Sequence, residues 1–248
     1  MFWSKPVPLR MVRKQCLEMT DLGTVTFRRS ARARYVSIRV RPFAGVQVTV
    51  PAGVSLARAK AFVHEKRAWV AQQLKKTREI ERAQVIREDQ EIRTRHHRLE
   101  VVRCRESALS VRLSKGIIRV RVPDHLKMAD AAVQHAIRTG LIAAWRQEAK
   151  AYLPQRLAEL AHEHGFTYNR VFIKNHRSRW GSCSARNNIN LSLHLMRLPD
   201  ELIDYVLLHE LVHTRVKNHG RDFWRLLKRV CPNAQEKDRR LNQFRRPW

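Results

Sequence analysis

Residues 209–219 carry the strongest chemical signal in the chain: His209-Glu210-Leu211-Val212-His213, then His219 six positions on. On a helix over about 207–215, His209 and His213 stand four apart on one face, so both imidazoles can point at a common ion. Glu210 sits beside the first ligand without being one, where a carboxylate can take a proton from metal-bound water. His219 would complete a neutral set of three protein ligands and leave a fourth position for water. Zinc held this way brings the pKa of its water to about 7. The expected chemistry is therefore hydrolysis, with Zn2+ as cofactor and Glu210 as general base. Val216 stands where a glycine usually breaks the helix before the third ligand. The spacing predicts that Asn218 or Gly220 supplies a left-handed turn instead.

These side chains need a helix to carry them. Pro199 is expected at its first position, with Asp200 and Glu201 at its positive end. Leu202, Val206, His209 and His213 fall on one face, which predicts a helix that is mostly buried. Short strands are expected before it, over 171–174, 178–183 and 188–195. Far upstream, Val36, Ile38 and Val40 alternate with polar residues, as do Val46, Val48 and Val50, with Pro42 and Gly45 marking the turn between them. Pro51 ends this hairpin and a helix is predicted over 55–76. A second copy of the plan follows. Val111 and Leu113 lead to Lys115-Gly116, then Ile118, Val120 and Val122 run to Pro123, and a helix is predicted over 128–164. Gly45 to Pro51 is six residues and Gly116 to Pro123 seven, an offset that a bulge could absorb. The charged stretch 77–98 reads as an exposed helical extension or a linker.

A chain of 248 residues that is 44% hydrophobic and contains six Trp can bury a core, and it is not a disordered segment. No apolar run reaches the roughly 18–20 residues of a membrane span, and residues 1–20 lack the apolar segment of a secretory signal. The four cysteines, Cys16, Cys104, Cys183 and Cys231, form no CxxC pair and read as free thiols. A cytoplasmic location is expected. The net charge of +28 favours polyanions, so contact with nucleic acid or nucleotides is a second expectation. That charge is spread along the chain and specifies no groove, and no usual nucleic-acid module is present. Two rivals to peptide hydrolysis follow. The same site could act as a nucleoside triphosphate pyrophosphohydrolase, or the chain could bind polyanions around a structural zinc. An open fourth position beside Glu210 argues against the last, since structural zinc is usually closed by four protein ligands.

Arg179-Trp180-Gly181-Ser182-Cys183, Asn188-Ile189-Asn190-Leu191, Pro199, Asp204-Tyr205 and the stretch from His209 to Trp224 resemble the bacterial YgjP-like family of zinc metallopeptidases. That family is related more distantly to SprT-like and other minimal zincin proteases. With the first hairpin, Pro51 and Trp69, the resemblance covers roughly residues 24–245. It implies an α+β fold: a minimal zincin core of active-site helix, supporting helix and small sheet, preceded by a β-hairpin-rich region. The domain reading is a basic tail over 1–20, a β-rich region over 21–127 and a metallopeptidase core over 128–248. The resemblance also implies a protein or peptide substrate, paired along the strand before the metal helix. By position that strand is 188–195, which makes Asn188 and Asn190 candidate substrate contacts, with Trp180 and Arg179 on the same rim. Cys183 reads as packing. Arg179, His176 and Tyr205 are oxyanion candidates by chemistry alone, and Asp204 and Asp222 are candidate partners for the imidazoles.

Overall fold

The computed structural model describes residues 14–244, which divide into two compact units: residues 14–87 with 127–135, and residues 88–126 with 136–244. The basic tail expected over 1–20 lies outside the described residues as far as 13. From Lys14 the chain is already a strand.

In the first unit that strand, β1 (Lys14–Met19), joins β2 (Gly23–Ser30), β3 (Ser37–Arg41) and β4 (Gly45–Pro51) in the order β1-β2-β4-β3. Alternation places Val46, Val48 and Val50 on the buried face with Val25 and Phe27 of β2, as a period of two requires. Ala59, Val63 and Val70 close the same core. The single helix expected over 55–76 is two: α1 (Leu56–Glu65), capped by the Ser55 hydroxyl, and α2 (Arg67–Ala83), with Lys66 between them. β2 pairs in parallel with β4, and the hairpin pattern gave no sign of it.

The second unit repeats this plan. β5 (Arg98–Cys104) runs parallel to β7 (Ile117–Pro123), and β6 (Ser110–Ser114) runs antiparallel to it, giving the order β5-β7-β6. The one-residue offset lies in the turn, and no bulge is needed. Strands β4 and β7 both have seven residues; Gly45 is the first residue of its strand, whereas Gly116 is the last of a two-residue turn. Lys115 and Gly116 have φ of 47° and 74°, the positive values that such a tight hairpin demands. A third copy, absent from the sequence reading, uses β8 (Arg170–Lys174), β9 (Gly181–Cys183) and β10 (Asn188–Ser192) in the order β8-β10-β9. The expected strand over 188–195 stops at Ser192, because Leu193–Arg197 winds into a 3-10 turn.

The helix α3 (Ala131–Glu163) follows β7, and α4 (Asp200–Val212), α5 (Arg221–Val230) and α6 (Ala234–Gln243) complete the chain. Pro199 is the N-cap of α4 rather than its first helical residue. The stretch 77–98 finishes α2 and then runs irregularly, and buried Glu148 fastens its end: one carboxylate oxygen accepts from the Thr94 hydroxyl, the His96 N–H and the His97 ring at 2.5, 2.9 and 2.7 Å. This is the α+β arrangement expected, with α4 as the active-site helix, α3 as the supporting helix and β8–β10 as the small sheet. Among the described residues, no helix is long and apolar enough to cross a membrane.

Gly140 shows how tightly α3 sits on its sheet. A Cβ there would lie 2.6 Å from the Ile118 Cγ2 and 3.0 Å from the Val111 Cγ1. Overpacking of this kind costs about 1–3 kcal/mol, while alanine regains about 1 kcal/mol of helix propensity. Gly140→Ala should therefore lower stability by about 1 kcal/mol, read as a lower denaturation midpoint with unchanged m value.

Candidate active site

The α4 helix is buried along almost its whole length, from Leu202 to Val212. It ends at Val212, with His213 as a right-handed cap, so His209 and His213 keep their one-turn spacing. The chain then turns through right-handed bonds: Thr214 N–H to Leu211 O, Arg215 N–H to Val212 O, and Val216 N–H to Val212 O. The Thr214 hydroxyl also donates to Leu211 O. The left-handed turn expected at Asn218 or Gly220 is not there. Gly220 has φ −72°, and neither residue is among those with positive φ. Long-range ties hold this loop instead. Arg215 donates to Gly165 O and lies 4.6 Å over the Phe166 ring. Lys217 donates to Ser184 O and Asn187 Oδ1 at 3.1 and 2.5 Å.

The result is convergence. The His209 and His219 Nε2 atoms stand 3.0 Å apart, His213 and His219 3.1 Å, and His209 and His213 3.2 Å. The ring of Phe223, fully buried on α5, packs 4.6–4.8 Å from all three imidazoles. His213 Nδ1 lies 3.0 Å from the Val216 carbonyl, which places a proton on Nδ1 and turns the Nε2 lone pair to the centre. Burial, then the neighbouring His213 and His219, brings His209 down to about 3, and burial also lowers His213. Lone pairs facing one another at this range repel unless a cation lies between them. Zinc bonded to nitrogens at about 2.0–2.1 Å in near-tetrahedral geometry needs nitrogens about 3.3 Å apart. The donor set and its spacing therefore fit a zinc ion.

Glu210, on the same helix, is 5% exposed. Burial pushes its carboxyl up to about 8, against the pull of the Arg179 guanidinium. Its Oε2 is buried with no hydrogen-bond partner among the described residues. The rest of the carboxylate lies against the backbone of Gly181, where a Cβ would fall 2.5 Å from Oε1 and 2.7 Å from Cδ. Gly181 is thus required for space rather than for its φ.

The other expected residues divide. Arg179 is exposed and acts on Glu210 through its charge. Trp180 is half-buried, and its carbonyl accepts from the Ser192 N–H. Asn190 Nδ2 donates to the Ser182 hydroxyl, and the Asn188 N–H donates to the Ser184 hydroxyl. Their strand, β10, is paired on both sides, with β8 and β9, so 188–195 is not an edge that a peptide could join. The edge beside Glu210 is β9. Ser192 N–H to Trp180 O and Ser184 N–H to Asn188 O set the antiparallel alternation, which leaves the N–H and C=O of Gly181 and Cys183 pointing away from the sheet.

The remaining candidates make other contacts. The Tyr205 hydroxyl donates to Asp238, and Asp204 accepts from Nε and Nη2 of Arg156. Asp222 is exposed and paired with Arg225, while the carbonyl of His176 accepts from Ser192. Neither aspartate orients an imidazole; the backbone of Val216 does. Half-buried Cys183 lies 3.8 Å from Lys217 Nζ, and burial raises its thiol. All four cysteines are free.

Phe223 escaped the sequence reading. Its only trace there was the apolar pair Phe223 and Leu227, one turn apart on a helix that also carries four basic residues. Gly181→Ala would displace the Glu210 carboxylate by roughly 1 Å, and a shift of that size can cost about 10²-fold in turnover. If the triad holds zinc and Glu210 serves hydrolysis, the variant should lose about that much activity while zinc content, measured by atomic absorption, stays unchanged.

The chain is similar over part of its length to two solved metallopeptidase zymogens. Abylysin of Pyrococcus abyssi is 26% identical, with 38% of this chain and 96% of that one covered and a TM-score of 0.34. Jannalysin of Methanocaldococcus jannaschii is 24% identical, with 36% and 93% covered and a TM-score of 0.33. No curated protein sequence matches the chain. The description YgjP-like, metallopeptidase domain, matches residues 34–244, and the chain belongs to that family.

Proposed function

We propose that the protein is a zinc-dependent metallopeptidase in which His209, His213 and His219 hold the metal and Glu210 is the general base. One observation carries this reading: a buried carboxylate whose Oε2 has no protein partner sits on the same helix as two of three converging imidazoles. Zinc in that triad would supply Lewis acidity, acidifying water and polarising a scissile carbonyl.

The protein side of the reaction follows from the residues. Glu210 Oε2 accepts a proton from the attacking water and later delivers it to the leaving amine. Burial works against the charged form of this carboxylate and so favours its taking up a proton. Gly181 fixes where that carboxylate sits. An extended peptide would pair with the outward N–H and C=O groups of Gly181 and Cys183 on β9. That places its backbone beside Glu210 without reading its side chains. Arg179, whose charge already reaches Glu210, stands ready to meet negative charge developing in the transition state.

A second reading keeps the same residues and changes the bond to a phosphoanhydride of a nucleoside triphosphate. It is favoured by the cationic side chains Arg221, Arg225 and Lys228 that line a cavity shared with His219.

Glu210→Gln should lower kcat/KM by about 10²–10⁴-fold while zinc stays bound, whereas His219→Ala should lose zinc and activity together. Casein and nucleoside triphosphates assayed side by side decide the bond. Full activity of Glu210→Gln on both would remove the general base, and zinc-free protein of undiminished activity would remove the metal.

A further inference from the structure

We infer that the outer face of α5 forms an oxyanion subsite beside the metal-binding triad, and that the enzyme selects substrates carrying a carboxylate or phosphate group next to the bond it cleaves. The inference rests on the hydrolase reading above and adds a substrate class to it.

Arg221, Trp224, Arg225 and Lys228 stand at i, i+3, i+4 and i+7, which places all four on one side of the helix. The opposite side is taken by Phe223 and Leu227, both fully buried, so the cationic row is held outward by the core contacts of its own helix. Together with His219, Gly220 and Gln235 these residues line a cavity of about 660 Å3. His219 is a wall of that cavity and also a member of the triad, so a group bound there lies next to the reacting centre.

The charges are only weakly compensated from within the protein. Asp222 pairs with Arg225 at 3.1 Å, but both are well exposed, and a pair of that kind is worth little. Arg221 and Lys228 have no ion-pair partner among the described residues. Like charges one turn apart on a helix repel by a few tenths of a kcal/mol, and an anion among them reverses the sign. Two guanidiniums offer forked donors that match the paired oxygens of carboxylate or phosphate, and the ammonium adds a point charge. The half-buried Trp224 ring adds an apolar wall on which a planar part of the ligand can lie. Arg67 and Arg78 also line cavities, but neither of those cavities is shared with a member of the triad.

The test uses the inactive Glu210→Gln chain, loaded with zinc, so that binding is read apart from turnover. Titration calorimetry at low salt would compare inorganic tripolyphosphate, a peptide containing two Asp residues, and the same peptide with Ala in their place. At least one anionic probe should bind at least 10-fold more tightly than the Ala peptide, and which of them does so identifies the anion as phosphate or carboxylate. Adding Arg225→Ala and Lys228→Ala should abolish at least 10-fold of that affinity while zinc content stays constant. Arg225→Lys should restore part of it, which a merely folding-related loss would not allow. Equal binding of all three probes, or anion binding that survives the double substitution, overturns the subsite. These outcomes are independent of catalysis: a wild-type chain that hydrolyses nothing would refute the hydrolase reading, while the calorimetry still decides the subsite.

Discussion

Three imidazole nitrogens facing one another within 3.2 Å is an arrangement no protein adopts without forces that hold it, and much of the second unit supplies them. Desolvation lowers the proton affinity of His209 and His213, so the rings cannot escape repulsion by becoming charged donors. Phe223 packs against all three rings, the Val216 carbonyl sets the tautomer of His213, and Arg215 and Lys217 anchor the loop that ends in His219. What remains at the centre is a set of lone pairs that a cation satisfies.

The second constraint is steric and ties the sheet to the chemistry. Gly181 belongs to the edge strand β9, and the Glu210 carboxylate occupies the space its side chain would fill. Strand and carboxylate therefore cannot move independently. If the strand receives the substrate backbone and Glu210 is the proton acceptor proposed for it, one contact sets the distance between that acceptor and the bond to be broken. The loss of side-chain identity at 181 is the cost of that coupling, and it explains why a glycine with an ordinary φ stands in a strand.

The sequence made the local features legible. Spacing of four, with an acid between, was enough to place His209, Glu210 and His213 on a helix end, and strict alternation was enough to find β3, β4, β6 and β7. Features set by distant parts of the chain were hidden. β2 and β5 pair in parallel with strands that are not their sequence neighbours, and β5 carries several charges that mask its alternation. The insertion of β10 between β8 and β9 reversed which strand is the edge, which no local pattern encodes. The route to His219 was misread for the same reason. A left-handed residue is a local answer to turning the chain, whereas Arg215 and Lys217 turn it by reaching Gly165 and Asn187.

The basic character of the chain gains a location once α5 is seen as two faces of one helix. Its apolar side, Phe223 and Leu227, is committed to the core beneath the triad, so its rotation about its own axis is fixed. Rotation being fixed, Arg221, Trp224, Arg225 and Lys228 must emerge together beside His219. The platform that steadies the imidazoles thereby also determines where cationic groups meet solvent next to them. A net charge of +28 spread along the sequence gives no direction, but the packing of Phe223 against the three imidazoles gives one to these three cations.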